Sequence, residues 1–291
     1  MRFFAAMLLF LGLAATPRLA SAELVDLELI LAVDVSGSVD DQEAELQRAG
    51  YGAALTDVRV LGAIRAGRRG RIAVAYVEWG GDHIQRPVVD WSVIDGPEAA
   101  ADFAKRLAAA PMSVEMWTSI SGAMRYAADL FALSPHQGLR RVLDISGDGP
   151  NNDGAPVTKA RQRMVKAGIT INGLPIINGR PSRYGLAPMP HLDLYYQDCV
   201  IGGFGAFIVV ANTYRDFARA IRRKLILEIA GRMPEKGAPE KGVPERRGPE
   251  GWTPRGARLI PAPTPVSHSG PMPRPMPCDL GEIIRDSRES F

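Results

Sequence analysis

Apolar and polar positions along the chain fall into two alternating periods. Residues 29–33, Leu-Ile-Leu-Ala-Val, form an unbroken apolar run closed by Asp34 and Gly37. Such a run, without polar alternation, predicts a strand buried on both faces. Leu46, Ala49, Gly50, Ala53 and Ala54 then recur at helical spacing, behind Asp40 or Asp41 as an N-cap. Residues 71–79 predict the next strand, stopped by Gly80 and Gly81. Residues 84–89 contain Pro87, which lacks a ladder donor and so predicts an edge strand, hairpinned to its predecessor. Pro97 opens a helix with Ala99, Phe103 and Leu107 on one face. Ile120, Ala123, Met124, Ala127 and Phe131 make the next helical stripe. A strand over 139–145, a helix marked by Val157, Ala160 and Met164, and a strand over 169–174 follow. A last strand is expected over 205–210, and Tyr214, Phe217, Ile221 and Leu225 face inward from a closing helix that reaches Ala230.

Strands alternating with helices predict an α/β fold: a doubly wound, mostly parallel sheet with helices on both faces and one antiparallel edge strand. Residues 178–190, with three prolines and two glycines, read as an excursion. The segment 195–198 belongs to an element whose type the pattern leaves open. From Gly231 the character changes: residues 234–250 repeat Pro-Glu-Lys-Gly every five residues, and 12 of the 23 prolines fall at or after Pro234. Such composition buries too little apolar surface to offset the entropy of ordering. Three regions are therefore expected: a leader over 1–22, a globular domain over 23–230, and an extended, disordered Pro/Gly-rich tail over 231–291.

The leader reads as a secretory signal. Arg2 supplies the positive start, residues 3–15 the apolar stretch, and Ala20-Ser21-Ala22 the cleavage site. The apolar run is short for a membrane span, and Pro17-Arg18 interrupt it. The mature protein is thus expected to be exported, to the periplasm or beyond, without a transmembrane segment. Charge adds little. Without Arg2 and Arg18, the 35 basic residues fall to 33 against 32 acidic ones, a formal +1. That balance gives no argument for nucleic acid or an anionic membrane. The local basic clusters, Arg65, Arg68, Arg69 and Arg71, and Arg215, Arg219, Arg222, Arg223 and Lys224, read as solvated faces. An oxidising compartment permits a bridge between the two cysteines, Cys199 and Cys278, but two separate thiols fit the sequence equally well.

Candidate chemistry collects where strands end. Asp34, Ser36 and Ser38 follow the first buried strand, at the sheet edge where open α/β folds bind ligands. One carboxylate and two hydroxyls within five residues suit a hard cation such as Mg²⁺. A serine-rich turn whose Asp34 caps the next helix is the plainer alternative. Two more loops reach the same edge: one carries Thr118 before a helix, the other Asp148 after a strand. Ser119 and Ser121 compete with Thr118. Asp144 competes with Asp148 but lies within its strand. Asn151, Asn152 and Asp153 read as turn residues.

This set of loops resembles the von Willebrand factor A domain and its metal-ion-dependent adhesion site, over residues 24–230. More narrowly, Asp-Val-Ser-Gly-Ser-Val (34–39), Leu-Gln-Arg-Ala-Gly-Tyr (46–51) and Ser-Gly-Asp-Gly-Pro-Asn-Asn (146–152) resemble an exported bacterial subfamily of unassigned function. The resemblance implies Ser36, Ser38 and Thr118 as direct ligands of Mg²⁺, or of Mn²⁺ or Ca²⁺ in its place. Asp34 and Asp148 would complete the site, largely through water. It further implies an open position that takes an acidic residue of an exported protein partner, in a binding module rather than an enzyme. A metal-assisted hydrolase is the competing class, but no H-E-x-x-H or G-x-S-x-G string occurs. A scaffold whose metal only staples loops is the third.

Overall fold

The structure, a computed structural model, describes residues 22–37, 39–113, 115–177, 179, 188–231 and 275–289. Its strands are β1 (Glu23–Val25), β2 (Glu28–Asp34), β3 (Ile72–Trp79), β4 (Gln85–Ile94), β5 (His136–Gly138), β6 (Arg141–Gly147) and β7 (Ile169–Pro175). Its α-helices are α1 (Asp41–Leu55), α2 (Val58–Arg65), α3 (Pro97–Ala109), α4 (Ile120–Ala132), α5 (Val157–Lys166), α6 (Leu192–Tyr195), α7 (Tyr214–Ala230) and α8 (Leu280–Glu289). The main sheet runs β4-β3-β2-β6-β7, parallel except for β4, which pairs antiparallel with β3. A short parallel pair, β1 with β5, stands apart from it.

Strand β2 is central because both its faces are apolar. Leu29, Leu31 and Val33 enter one core, which α1, α2, α3 and α7 cover; Ile30 and Ala32 enter the other, under α4, α5 and α6. From β2 the chain crosses to β3 on one side and later to β6 on the other. The carboxyl ends of β2 and β6 therefore flank the point where the winding reverses. Pro87 does lie in an edge strand, as its missing donor requires, and register shifts in β3 between Val74 and Val77 adjust the pairing beside it.

Several expectations need correction. Leu46, Ala49 and Ala53 of α1 point to solvent, Leu46 with 41% exposure. The buried face instead carries Ala44, Gln47, Arg48, Gly50, Tyr51, Ala54 and Leu55. Two of those residues are polar because they work as hydrogen-bond donors to the sheet edge. The strand expected over 205–210 is irregular: Gly203 (φ +96°) and Gly205 (φ +70°) take left-handed conformations that break the ladder. The segment still lies along β7, where Gly173 donates its amide to the Phe207 carbonyl and accepts one from Val209. Residues 195–198 belong to α6 and the π-turn that follows it, Tyr196–Val200.

The tail departs from expectation at its far end. The leader up to residue 21 and residues 232–274 lie outside the described residues; Ala22, the leader's last residue, is described. Residues 275–289 return to the domain and finish in α8. A disulfide joins Cys199 to Cys278 across 79 residues. Met276 is buried and Leu280 packs against the α4–α6 core, so this stretch has the apolar partners that the repeat lacks.

One charged cluster is fully buried. Lys224 of α7 lies 2.5 Å from Asp144 of β6 and 2.6 Å from Glu228. Glu228 also accepts from Asn172 Nδ2 at 2.9 Å, and Asn172 Oδ1 accepts the Phe207 amide. Burial, then the nearby Glu228, pushes Asp144 up to about 7, while Lys224 pulls it back. The cluster locks α7 to the sheet and occupies Asp144, leaving Asp148 as the aspartate at the edge.

Candidate functional site

Strand β2 delivers Asp34 to the sheet edge fully buried. Its Oδ1 accepts the Ser36 amide at 2.8 Å, which turns the chain and aims Ser36 back over the strand end. Its backbone carbonyl accepts from Gln47 Nε2 at 3.2 Å. Helix α1 is placed to do this by a complete capping box: the Asp40 side chain accepts the Glu43 amide, and the Glu43 side chain accepts the Asp40 amide. No well-formed hydrogen bond reaches Asp34 Oδ2, which is buried. Gly147 backs it so closely that a Cβ there would lie 2.8 Å from that oxygen.

The second loop is pinned from several sides. The Glu115 amide donates to the Val35 carbonyl at 2.8 Å and the Ser119 amide to the Gly80 carbonyl at 2.7 Å. Arg48 reaches across from α1, with Nη1 on the Ala110 carbonyl at 2.5 Å and Nη2 on the Pro111 carbonyl at 2.9 Å. Its charge is balanced by buried Glu78, 2.7 Å away, which also holds Arg86. Trp117 takes a left-handed conformation (φ +66°), unfavourable for a bulky residue by about 1–3 kcal/mol, and stays 43% exposed beside the site. Thr118 follows and is nearly buried, its hydroxyl 3.2 Å from the Ser36 hydroxyl.

The third loop leaves β6 with Asp148, itself largely buried. Its backbone does more than expected of a turn. Asn152 clamps Thr118 from both sides: its Oδ1 accepts the Thr118 amide and its own amide donates to the Thr118 carbonyl, each at 2.8 Å. Asn151 is fully buried; its Oδ1 accepts the Ser121 amide, and its amide donates to the Tyr195 hydroxyl. Ser119 caps α4 by accepting the Gly122 amide and donates to the Asp153 carbonyl, while Ser121 sits against Ser119. Those contacts engage both serines in the frame, and Thr118 is the hydroxyl that meets Ser36.

Of the five residues expected at the site, the structure brings Asp34, Ser36 and Thr118 together and places Asp148 within electrostatic range of Asp34. Ser38 lies outside the described residues. Burial first, and the Asp148 charge second, push Asp34 up to about 8; bonds from the Ser36 hydroxyl and amide and from the Asp148 amide offset part of this. Two carboxylates, one with a buried oxygen that no well-formed hydrogen bond reaches, and paired hydroxyls make a donor set for a hard cation, which would neutralise the repulsion. Among the described residues no group of three or more His, Cys, Asp or Glu gathers to hold a metal; in this candidate site hydroxyls stand beside the two carboxylates. Gln47, Arg48, Asn151 and Asn152 frame this candidate site, and pattern reading missed that role. The one available signal was an adjacent Asn pair in a loop otherwise rich in glycine and aspartate.

Solved structures share this architecture. Proximal thread matrix protein 1 from the mussel byssus matches with a TM-score of 0.51 at 14% identity, covering 71% of this chain and 48% of its own. The pilus adhesin SpaC from Lactobacillus rhamnosus GG matches with a TM-score of 0.50 at 10% identity, covering 70% and 31%. A von Willebrand factor type A protein from Catenulispora acidiphila matches with a TM-score of 0.48 at 15% identity, covering 70% and 43%. This chain thus spans about half, or less, of the length of those proteins, and at such identities the likeness concerns the fold. No protein of curated function matches the chain. The family model described as "Protein of unknown function (DUF1194)" matches residues 24–233. The chain belongs to that family, and its α/β fold is shared with proximal thread matrix protein 1 and the pilus adhesin.

Proposed function

We propose that this protein is an exported binding module that holds a divalent cation, Mg²⁺ in the first instance, and captures an acidic group of a protein partner. Asp34, Ser36, Ser38, Thr118 and Asp148 would hold the cation. The observation that carries this reading is the buried, unsatisfied Asp34 Oδ2 beside a second carboxylate and a hydroxyl pair. Two carboxylates kept close together out of bulk water are costly unless a cation or a proton meets them. When bound, the cation supplies Lewis acidity that a partner carboxylate can satisfy. The protein's own share is to hold the hydroxyls together, keep both carboxylates out of bulk water, and exclude competing ligands through the tight Gly147 backing.

Export is supported by the signal-like leader and by the Cys199–Cys278 bridge, since disulfides persist in oxidising compartments. Among the described residues no helix is long and apolar enough to cross a membrane. A binding role is in keeping with a fold that a pilus adhesin also carries. No catalytic role is proposed. The test is capture from a periplasmic extract on the immobilised chain, with Mg²⁺ against EDTA, and then of synthetic peptides from whatever is captured. Peptides carrying Asp or Glu should bind with Mg²⁺, and their Asn or Gln counterparts should not. Equal binding in EDTA, or by Asp34→Ala, contradicts the proposal.

A further inference from the structure

The last described segment stands directly behind the third loop of the site. Its entry is fixed at three points: the Cys199–Cys278 bridge, the Met276 amide donating to Asp198 Oδ2 at 3.0 Å, and the burial of Met276. Helix α8 then starts against the loop. A Cβ on Gly281 would run into the carbonyl oxygen of Asn151, so the helix approaches as closely as glycine permits. The next residue, Glu282, accepts at its Oε1 from Asn151 Nδ2 at 2.8 Å. Arg285 Nη1 donates to the Asn152 carbonyl at 2.9 Å. These asparagines are the residues that clamp Thr118 and anchor Ser121.

We propose that residues 275–289 form a disulfide-tethered brace of the candidate site. Cys199–Cys278 holds α8 where Glu282 and Arg285 fix Asn151 and Asn152, which in turn hold Ser121 and Thr118. Glu282 and Arg285 are positioning residues, acting through the loop. The chain thus couples the metal affinity of the site to the oxidation state of one bridge. An added dithiol supplies two electrons and two protons, turning the bridge into two thiols while the dithiol closes to its own disulfide. Brace and loop then part, because so short a helix has little stability of its own away from the domain. The metal-affinity part rests on the binding-site reading above; the loop-ordering part does not.

The test has two arms on the full chain. In the first, hydrogen exchange is measured without metal on the oxidised wild type, Cys278→Ser, and Arg285→Ala with its bridge intact. The brace predicts exchange at Thr118, Ser121 and Asn152 faster by about tenfold in both variants, with the β2 and β3 amides unchanged and Arg285→Lys restoring protection. In the second, Mg²⁺ is titrated into the same proteins. Supporting residues around a metal site commonly govern affinity by about 10–100-fold, and Cys278→Ser and dithiol-treated wild type should lose at least the lower figure. Unchanged exchange at those three amides overturns the brace. If exchange changes as expected but wild type binds no Mg²⁺, the brace stands as an ordering device and the metal reading falls. If wild type binds Mg²⁺ and both variants match it, the coupling is refuted.

Discussion

At Asp34 two costs coincide: full burial, and a second carboxylate nearby. Its pKa in the folded chain stands at about 8, above the ordinary 3.8. Between those values the folded state binds more protons than the unfolded chain, so stability is lost as pH rises through the window. Asp144, pushed up to about 7, contributes in the same direction. Metal-free protein should therefore melt lower at pH 8 than at pH 5. Asp34→Asn should flatten that dependence and raise metal-free stability at pH 8 by on the order of a few kcal/mol. Melting curves over pH check this; identical pH profiles for wild type and variant would contradict it. That Asp34 and Ser36 meet at the sheet edge was legible in the sequence because Asp-x-Ser after an apolar run is a local pattern. Gln47, Asn151 and Asn152 were not, because a polar residue buried by its hydrogen bonds looks in sequence like one exposed to water.

Among the elements, α1 and α7 show how far polar burial shapes this fold. The apolar stripe read into α1 placed Leu46 inside, yet the helix turns Gln47 and Arg48 inward to reach the Asp34 carbonyl and the loop before Thr118. Periodicity alone cannot anticipate a face whose partners are carbonyls far along the chain. Helix α7 behaved as its stripe predicts, with Phe217, Ile221 and Leu225 in the core, but it also carries Lys224 into a pocket of carboxylates. Removing that one cation leaves Asp144 and Glu228 buried and uncompensated. Lys224→Met should lose about 3–5 kcal/mol. For a domain of this size that is a fall of roughly 10 °C in Tm. Asp144→Asn in the same background should recover part of it. Arg48→Ala should act differently, loosening the loop over 110–117 and weakening Mg²⁺ binding more than its effect on the melting temperature alone would suggest. A titration beside a melt separates the two, and an Arg48→Ala protein with unaltered affinity would show that the loop holds itself.

In the whole molecule, the mostly parallel, doubly wound class was legible because most buried strands and amphipathic helices announce themselves locally and alternate along the chain. The return of the C-terminus was not. A bridge between residues 79 positions apart leaves no local trace, and the repeat before it argued for a tail throughout. The repeat contains Lys236, Lys241, Arg246 and Arg247, which offer sites for trypsin. After cleavage there, the fragment holding residues 275–289 should migrate with the core on a non-reducing gel and separate on a reducing one. Separation without reductant would contradict the bridge.

The central claim is that the edge of this sheet holds a divalent cation, and calorimetric titration of Mg²⁺ into the metal-free chain, paired with melting curves, tests it most directly. Wild type should show a saturable heat of binding. At a hundredfold excess over the dissociation constant, mass action should stabilise it by about 2.7 kcal/mol. Asp34→Ala should keep its fold and show neither effect, and Ser36→Ala should show both at reduced strength. A wild-type protein with no heat of binding and no Mg²⁺-dependent shift in Tm would contradict the account.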